Sequence, residues 1–390
     1  MASKKYTIIL FYNSNNIHTP IVPDLAKAFN QLDYDTVPID IGIDTFGQTL
    51  SSALKEKDLY FFWSLNGSGI DLRVDQEYLA NVFDIPVFSC FKGQPYHFLS
   101  TLNLPLRKRI YAFPSPDEFP LLDTLSQPRP MLTSLLPGAN IPEFFPEQDT
   151  RSYFLFTGTY RDPEAIRNLW KIKFPALSKL FNSLIDLLLV NPFQPYNIAI
   201  KQVFDAYGLL LSPALQAQFL VHLGQIERYV CYKLRRSFLT ALQDIPITLA
   251  GPGLEIFVNR HPGSRYLPWP PPSDVPLLLQ QAKALVTYPY ILPDEPDWRM
   301  TASAYGTANI LPPEDYFSQH FLPNKSYLPL LIRDENAGTS ESLSKFFSQP
   351  ETLATIGANA RQKITSKHSW RTRAQEILDR VYMYYMLALS

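Results

Sequence analysis

The residues best suited to chemistry lie at the ends of apolar runs. Gly158-Thr159-Tyr160-Arg161 follows the β-prone run SYFLFTG (152–158) and opens a helical pattern. A glycine there lets a phosphate approach the backbone, the helix that follows offers unpaired N–H groups, and Arg161 adds charge. A plain strand-to-helix turn with a solvated arginine would read the same. Arg299, with the turn Ser303–Gly306, is a second place for an anion clamp, against the plainer reading of a surface arginine. Gly251-Pro252-Gly253 leaves another strand, where nucleotide pockets form, although a lone Gly-x-Gly is weak. Tyr266, Pro268 and Trp269 could stack a planar ring, or simply pack.

For proton transfer the choices are His18, after the first strand, and His97, after the fourth. Either could take a proton near neutral pH, and either could be an ordinary loop histidine. Asp117 and Glu118 are weaker candidates. His368 reads as structural, packing the C-terminal helix, while His222 and His261 carry no signal. Arg235-Arg236 reads as a helix cap or part of a salt bridge.

The elements that must position these residues alternate. YTIILFY (6–12), DTVPIDI (35–41), LYFFWSL (59–65), IPVFSCF (85–91) and RIYAFPS (109–115) read as strands. Helical patterns over 20–32, 51–58 and 75–84 separate them, which predicts a parallel, three-layer α/β domain. Ligands in such domains gather at the carboxyl ends of the strands, here the loops 13–19, 66–70, 92–97 and 114–118. The proline-rich segment 126–150 reads as a linker. A second α/β pattern follows, interrupted by a long helical interval, 163–242, that offers a face for an acceptor or for self-association. The expected domains are 1–140 and 150–365, with 366–390 a closing helix that crosses back to the first. The pattern alone leaves a glycosyltransferase, a periplasmic-type binding protein and a sugar-nucleotide epimerase as alternatives.

Composition narrows the classes. The chain has 390 residues, 46% apolar and 18% charged, with 35 basic and 36 acidic side chains. That is ample for two cores, and a net charge of −1 gives no global attraction for nucleic acid or an anionic membrane. Cys90 and Cys231 are far apart, so no zinc spacing and no disulfide framework is available, and a reducing, cytoplasmic setting is expected. The most apolar stretch, LFNSLIDLLLV (180–190), is shorter than the roughly 20 residues a membrane span needs.

Several stretches of the C-terminal part occur in a familiar order: SYFLFTGTYRD, RRSFLTALQDIPITLAGPGLE, SDVPLLLQQAKALVTYPY, WRMTASAYGTANILPPEDYFSQHF and LATIGANARQKITSKHSWRTRAQEIL. In that order they resemble glycosyltransferases of the GT-B fold, in particular the bacterial branch of group 1 and CgeB-like proteins. The likeness covers residues 150–380 well and the first domain loosely, through IPVFSCFKGQPYHF and LTSLLPGA. It implies two Rossmann-like domains facing a cleft. It also implies transfer of a sugar from a nucleotide-sugar donor, held by the second domain, to a protein, lipid or glycan acceptor. The implied donor set is Gly158, Thr159, Arg161, Gly251, Gly253, Arg299, Thr301, Ser303 and Gly306, with His18 or His97 as the catalytic base. No metal and no cofactor is expected, since such enzymes usually meet the leaving diphosphate with helix N-termini and arginine or lysine. Two departures stand out. The family's donor helix usually carries a glutamate five residues before its glycine, where this chain has Thr301, with Asp294, Glu295 and Asp297 just upstream. The first-domain strand often ends in Asp-Pro, where this chain has Gln94-Pro95. These favour the alternative of a GT-B-shaped binding or scaffold protein with a lapsed donor site.

Overall fold

The computed structural model describes residues 5–117, 119–124, 129–142, 151–175, 177–210, 212–242, 245–260, 262–313, 316–330 and 349–388. The chain divides into two compact units, 1–140 with 368–390, and 141–367. Each is built on its own six-stranded sheet.

The first sheet uses β1 (Thr7–Tyr12), β2 (Asp35–Asp40), β3 (Leu59–Leu65), β6 (Val87–Cys90), β7 (Arg109–Phe113) and β8 (Met131–Ser134). Their order is β2-β1-β3-β6-β7-β8 and every pairing is parallel. A parallel strand covered on both faces needs a continuous apolar run, and Ile8, Ile9, Leu10 and Phe11 are all buried. Helix α1 (Ile21–Asn30) turns Val22, Leu25, Ala26, Ala28 and Phe29 inward. It is followed by α2 (Phe46–Glu56).

Two expectations are corrected in this unit. Residues 75–84 do not form a helix. Asp75 takes φ +56° in the turn of a hairpin between β4 (Arg73–Val74) and β5 (Glu77–Tyr78), and only α3 (Leu79–Val82) is helical. The segment read as a linker, 126–150, contains β8, which extends the sheet beside β7; residues 143–150 lie outside the described residues. A short helix, α4 (Leu99–Leu102), packs near β7.

The second sheet uses β9 (Tyr153–Thr157), β10 (Ile247–Ala250), β11 (Arg265–Leu267), β12 (Ala282–Val286), β13 (Ala308–Leu311) and β14 (Leu328–Pro329). Its order is β11-β10-β9-β12-β13-β14, also parallel throughout. The interval 163–242 is helical as its pattern predicts: α5 (Pro163–Lys173), α6 (Ser178–Val190), α7 (Tyr196–Ala206) and α8 (Pro213–Ala241). Asp162 caps α5 through the Glu164 amide and Ser212 caps α8 through the Leu215 amide, each followed by proline. Trp170, Phe181, Phe204 and Phe219 form the aromatic core of this helical layer. The shorter helices α9 (Glu255–Val258), α10 (Val275–Gln281) and α11 (Arg299–Ala304) join the later strands. Helix α12 (Pro350–Lys367) packs on α11 and β13.

The last helix, α13 (Trp370–Ala388), belongs to the first unit. Ala374, Ile377, Leu378 and Val381 join that unit's core. Its start is fixed by His368, whose carbonyl accepts the Ala139 amide at 3.0 Å and whose ring meets the Arg373 guanidinium. Gly138 lies under Trp370, so close that a Cβ there would sit 2.7 Å from the indole. His368 thus has the structural role its motif suggests.

Candidate functional site

In an open parallel sheet, ligands collect where the strand order reverses, at the carboxyl ends. In the second sheet that point lies between β9 and β12. The loop Gly158-Thr159-Tyr160-Arg161 leaves β9 there, beside Gly251-Pro252-Gly253 leaving β10. The two loops are joined backbone to backbone. The Gly158 amide donates to Ala250 O at 3.2 Å and the Tyr160 amide to Pro252 O at 2.9 Å. Gly251 has φ +128°, and a Cβ on it would stand 2.0 Å from Gly158 O; on Gly253 it would stand 1.9 Å from Tyr160 O. Here the glycines are required by close approach.

Beneath this pair of loops lies an ion pair. Glu295 accepts from the Thr159 amide and hydroxyl, both at 2.6 Å, and from the Leu292 amide at 2.9 Å. Both terminal nitrogens of Arg235 reach the same carboxylate, Nη1 meeting Oε1 and Nη2 standing 2.7 Å from Oε2. Arg235 also donates to the carbonyls of Thr159, Tyr288 and Tyr290 at 2.7, 2.9 and 2.8 Å. Arg235 is 0% exposed and Glu295 1%. Burial lowers the pKa of the guanidinium, but neighbouring groups, the Glu295 carboxylate among them, raise it above its ordinary value. The neighbouring Cys231 thiol is pushed far up by burial, so it stays neutral. The pair ties α8, the β9 exit and the β12 exit into one rigid floor.

The carboxylates upstream of Arg299 are each engaged by an arginine. Asp294 meets Arg228 at 2.9 Å, Glu295 meets Arg235, and Asp297 meets Arg299 at 2.9 Å. Arg299 is 2% exposed, so its charge is directed into the fold. Arg161 is exposed on its loop and makes no ion pair among the described residues. Arg236 is also exposed, and burial raises the pKa of the Tyr160 hydroxyl while Arg236 and Arg260 pull it down. The rim of this loop is therefore cationic. Trp269 stands edge-on to Trp298, centroids 5.7 Å apart, and touches the space above Gly251. At the β12 exit the Thr287 hydroxyl is buried with no hydrogen-bond partner among the described residues.

The structure brings together Gly158, Thr159, Arg161, Gly251 and Gly253, with Arg299 at the near end of α11. It does not bring Ser303 and Gly306 to them. Helix α11 runs back to the amino edge of the sheet, where the Gly306 carbonyl accepts from Arg151 at 2.5 Å and Ser303 Oγ from Asn309 at 2.8 Å. Thr301 lies on the same short helix, half-buried. Sequence reading missed the partner of Glu295. Arg235 is 60 positions away and shows no local signal beyond an arginine on an apolar helix.

In the first sheet the order reverses between β1 and β3. His18 lies in the β1 exit, only 7% exposed, its amide donating to Asn16 Oδ1 at 2.9 Å. His97 lies in the β6 exit, its ring packed on Tyr96 and Phe98 at 4.8 and 6.4 Å. Both lie in loops at the carboxyl edge, after β1 and β6, and β3 runs between those two strands. The β3 exit is a tight turn, in which Asn66 Oδ1 accepts the Lys92 amide at 2.7 Å. Asp40, at the β2 exit, accepts the Ser14 and Gly42 amides; these outweigh its desolvation and lower its pKa. Asp33-Tyr34-Asp35 has Asp-x-Asp spacing but runs into the start of β2 at the opposite edge, with Asp35 paired to Lys5 at 3.0 Å. Glu118 and His261 lie outside the described residues, and His222 is packed between Phe174 and Phe181.

Residues 233–379 match the model of a family described as glycosyl transferase-like. That stretch contains Arg235, Glu295 and every strand exit of the second sheet after β9. Over that stretch the chain is similar to glycosyl transferase-like proteins. Solved structures extend the likeness to the whole chain at the level of fold. Sucrose-phosphate synthase from Thermosynechococcus elongatus superposes with TM-score 0.57 at 11% identity, covering 99% of this chain and 100% of that one. HepE of Anabaena, in complex with UDP-glucose, gives 0.54 at 9% identity, covering 97% and 99%. A glycosyltransferase from Rickettsia africae gives 0.51 at 11%, covering 98% and 99%. None of the curated proteins matches in sequence. The fold is GT-B, two Rossmann-like domains, as the order of the C-terminal motifs implies. Among the described residues no helix is long and apolar enough to cross a membrane.

Proposed function

We propose that the chain is a glycosyltransferase that takes its sugar from a nucleoside-diphosphate donor. The observation that carries this reading is the glycosyl transferase-like match over 233–379, which falls on the reversal point of the second sheet. There the joined glycine loops leave backbone exposed to a ligand, and the Arg161 and Arg236 rim offers positive charge to a leaving diphosphate. UDP is the first nucleotide to try, because HepE of the same fold is seen with UDP and UDP-glucose. The acceptor is bound by the first unit. Its hydroxyl oxygen attacks the anomeric carbon, the bond to the nucleoside diphosphate breaks, and the hydroxyl proton passes to His18 at the β1 exit. No metal is assigned to this step, and a cytoplasmic setting and a bacterial branch belong to the same proposal.

The test is turnover of nucleotide sugars with a panel of glycan, lipid and protein acceptors. His18→Gln should lower kcat by about 10²–10⁴-fold while donor affinity holds. His97→Gln should change kcat far less. Turnover of the donor alone to an epimer would point to an epimerase instead. The lapsed-site reading rests on Thr301 standing where the family usually has a glutamate and on Gln94 standing where it often has an aspartate; failure to bind UDP, GDP or ADP would favour it.

A further inference from the structure

At the other edge of the second sheet, the amino ends of β9, β10, β11 and β12 line an open pocket of about 380 Å³, at whose rim Ser152, Arg265 and Gln281 are exposed. It lies a full strand length from the glycine loops and shares no residue with them. Arg265 and Lys283 line it together with Ser152, Tyr153, Thr248 and Gln281, and no carboxylate lines it among the described residues.

Both cations are positioned. Arg265 donates from Nε to Thr248 Oγ1 at 3.1 Å, and its guanidinium carbon stands 4.6 Å from the centre of the Tyr153 ring. Those contacts fix the plane of the group. Lys283 sits within β12 between the buried Ala282 and Ala284. Ala282 pairs with Tyr153 and Ala284 with Phe154, so the ladder slips at Lys283. A bulge of this kind re-aims one side chain, and such bulges are common beside functional sites. No hydrogen bond or ion pair engages the ammonium among the described residues. Lys283 is half-buried at the amino end of β12, so its stem packs while its ammonium reaches the pocket's open side. Nearby, Arg151 spends its charge on the carbonyls of Tyr305 and Gly306, which adds to the positive field of this edge.

We propose that this cavity is an anion site that binds the phosphate group of a small phosphate monoester, with Lys283 as point charge, Arg265 as fork, and the Ser152, Thr248 and Gln281 side chains around the ester oxygens. Its volume is at the lower end of small-molecule pockets, large enough for a phosphate with a compact organic remainder. The proposal stands independently of the function assigned to the opposite edge.

The test is titration of the full chain with inorganic phosphate and with glycerol phosphate, at constant ionic strength, followed by calorimetry and melting. Saturable binding is expected, weakened about tenfold or more by Lys283→Gln and by Arg265→Gln, and partly retained in Lys283→Arg. The melting temperature of unliganded Lys283→Gln should match the wild type, which separates lost binding from lost fold. Tighter binding of glycerol phosphate supports an ester as the ligand, and equal binding supports free phosphate; the site stands in either case. Equal responses of wild type and Lys283→Gln, or no saturable response, would overturn it. So would loss of phosphate binding in Arg161→Ala with Lys283→Gln unaffected, since that would place the anion at the glycine loops.

Discussion

Arg235 and Glu295 show why a fully buried charge is safe only as a pair. Each hydrogen-bonding edge of either group is satisfied by the other or by backbone at the β9 and β12 exits. Arg235→Met leaves the Glu295 carboxylate unpaired in the interior, and the expected cost is about 3–5 kcal/mol in urea unfolding. Replacing both groups with apolar residues should recover much of that loss while loosening the loop that holds Thr159. His222 makes a second prediction. Burial between Phe174 and Phe181 lowers its pKa below the usual 6.5, so the unfolded chain binds its proton more readily. The stability it contributes is present above about pH 6.5 and is lost as pH falls through its folded value. Melting curves between pH 7.5 and 5 should show less acid sensitivity in His222→Phe than in the wild type.

At the scale of elements, the two glycine loops act as one because their backbones touch. Gly251→Ala would drive a methyl against Gly158 O and require φ +128° of an alanine. A loss of at least about 2 kcal/mol is expected, together with loss of nucleotide binding, read by melting and by titration. Most of these elements were legible in the sequence. The runs at 6–12, 59–65 and 152–158 are continuous and apolar, as strands covered on both faces must be. The glycine exits were legible as well, since glycine after such a run has few other uses. What failed to show was set by tertiary context. The hairpin at 73–78 carries a helical-looking pattern that Asp75 breaks by taking a left-handed conformation. The strand at 131–134 is hidden among prolines. Arg235 and Glu295 meet only because the fold brings α8 under the β12 exit. Ser303 and Gly306 looked like part of the site because they are near Arg299 in sequence, yet α11 carries them to the opposite edge of the sheet.

For the whole molecule, each unit has a parallel sheet with a single reversal point, and each reversal point bears distinct chemistry. The first presents the His18 loop; the second presents the glycine loops, the cationic rim and the ion-paired floor. The glycosyl transferase-like match runs past residue 367 into α13, a helix that builds the core of the first unit, so the matched sequence contributes to both. The central claim is that the second reversal point binds a nucleoside diphosphate. The measurement that tests it most directly is calorimetric titration of the full chain with UDP, GDP and ADP, in parallel with Arg161→Ala. The account predicts saturable binding of one of them, UDP foremost, weakened about tenfold or more by Arg161→Ala, and a gain of about 2.7 kcal/mol in stability at 100 times the dissociation constant. A cooperatively folded chain that binds none of the three would contradict it.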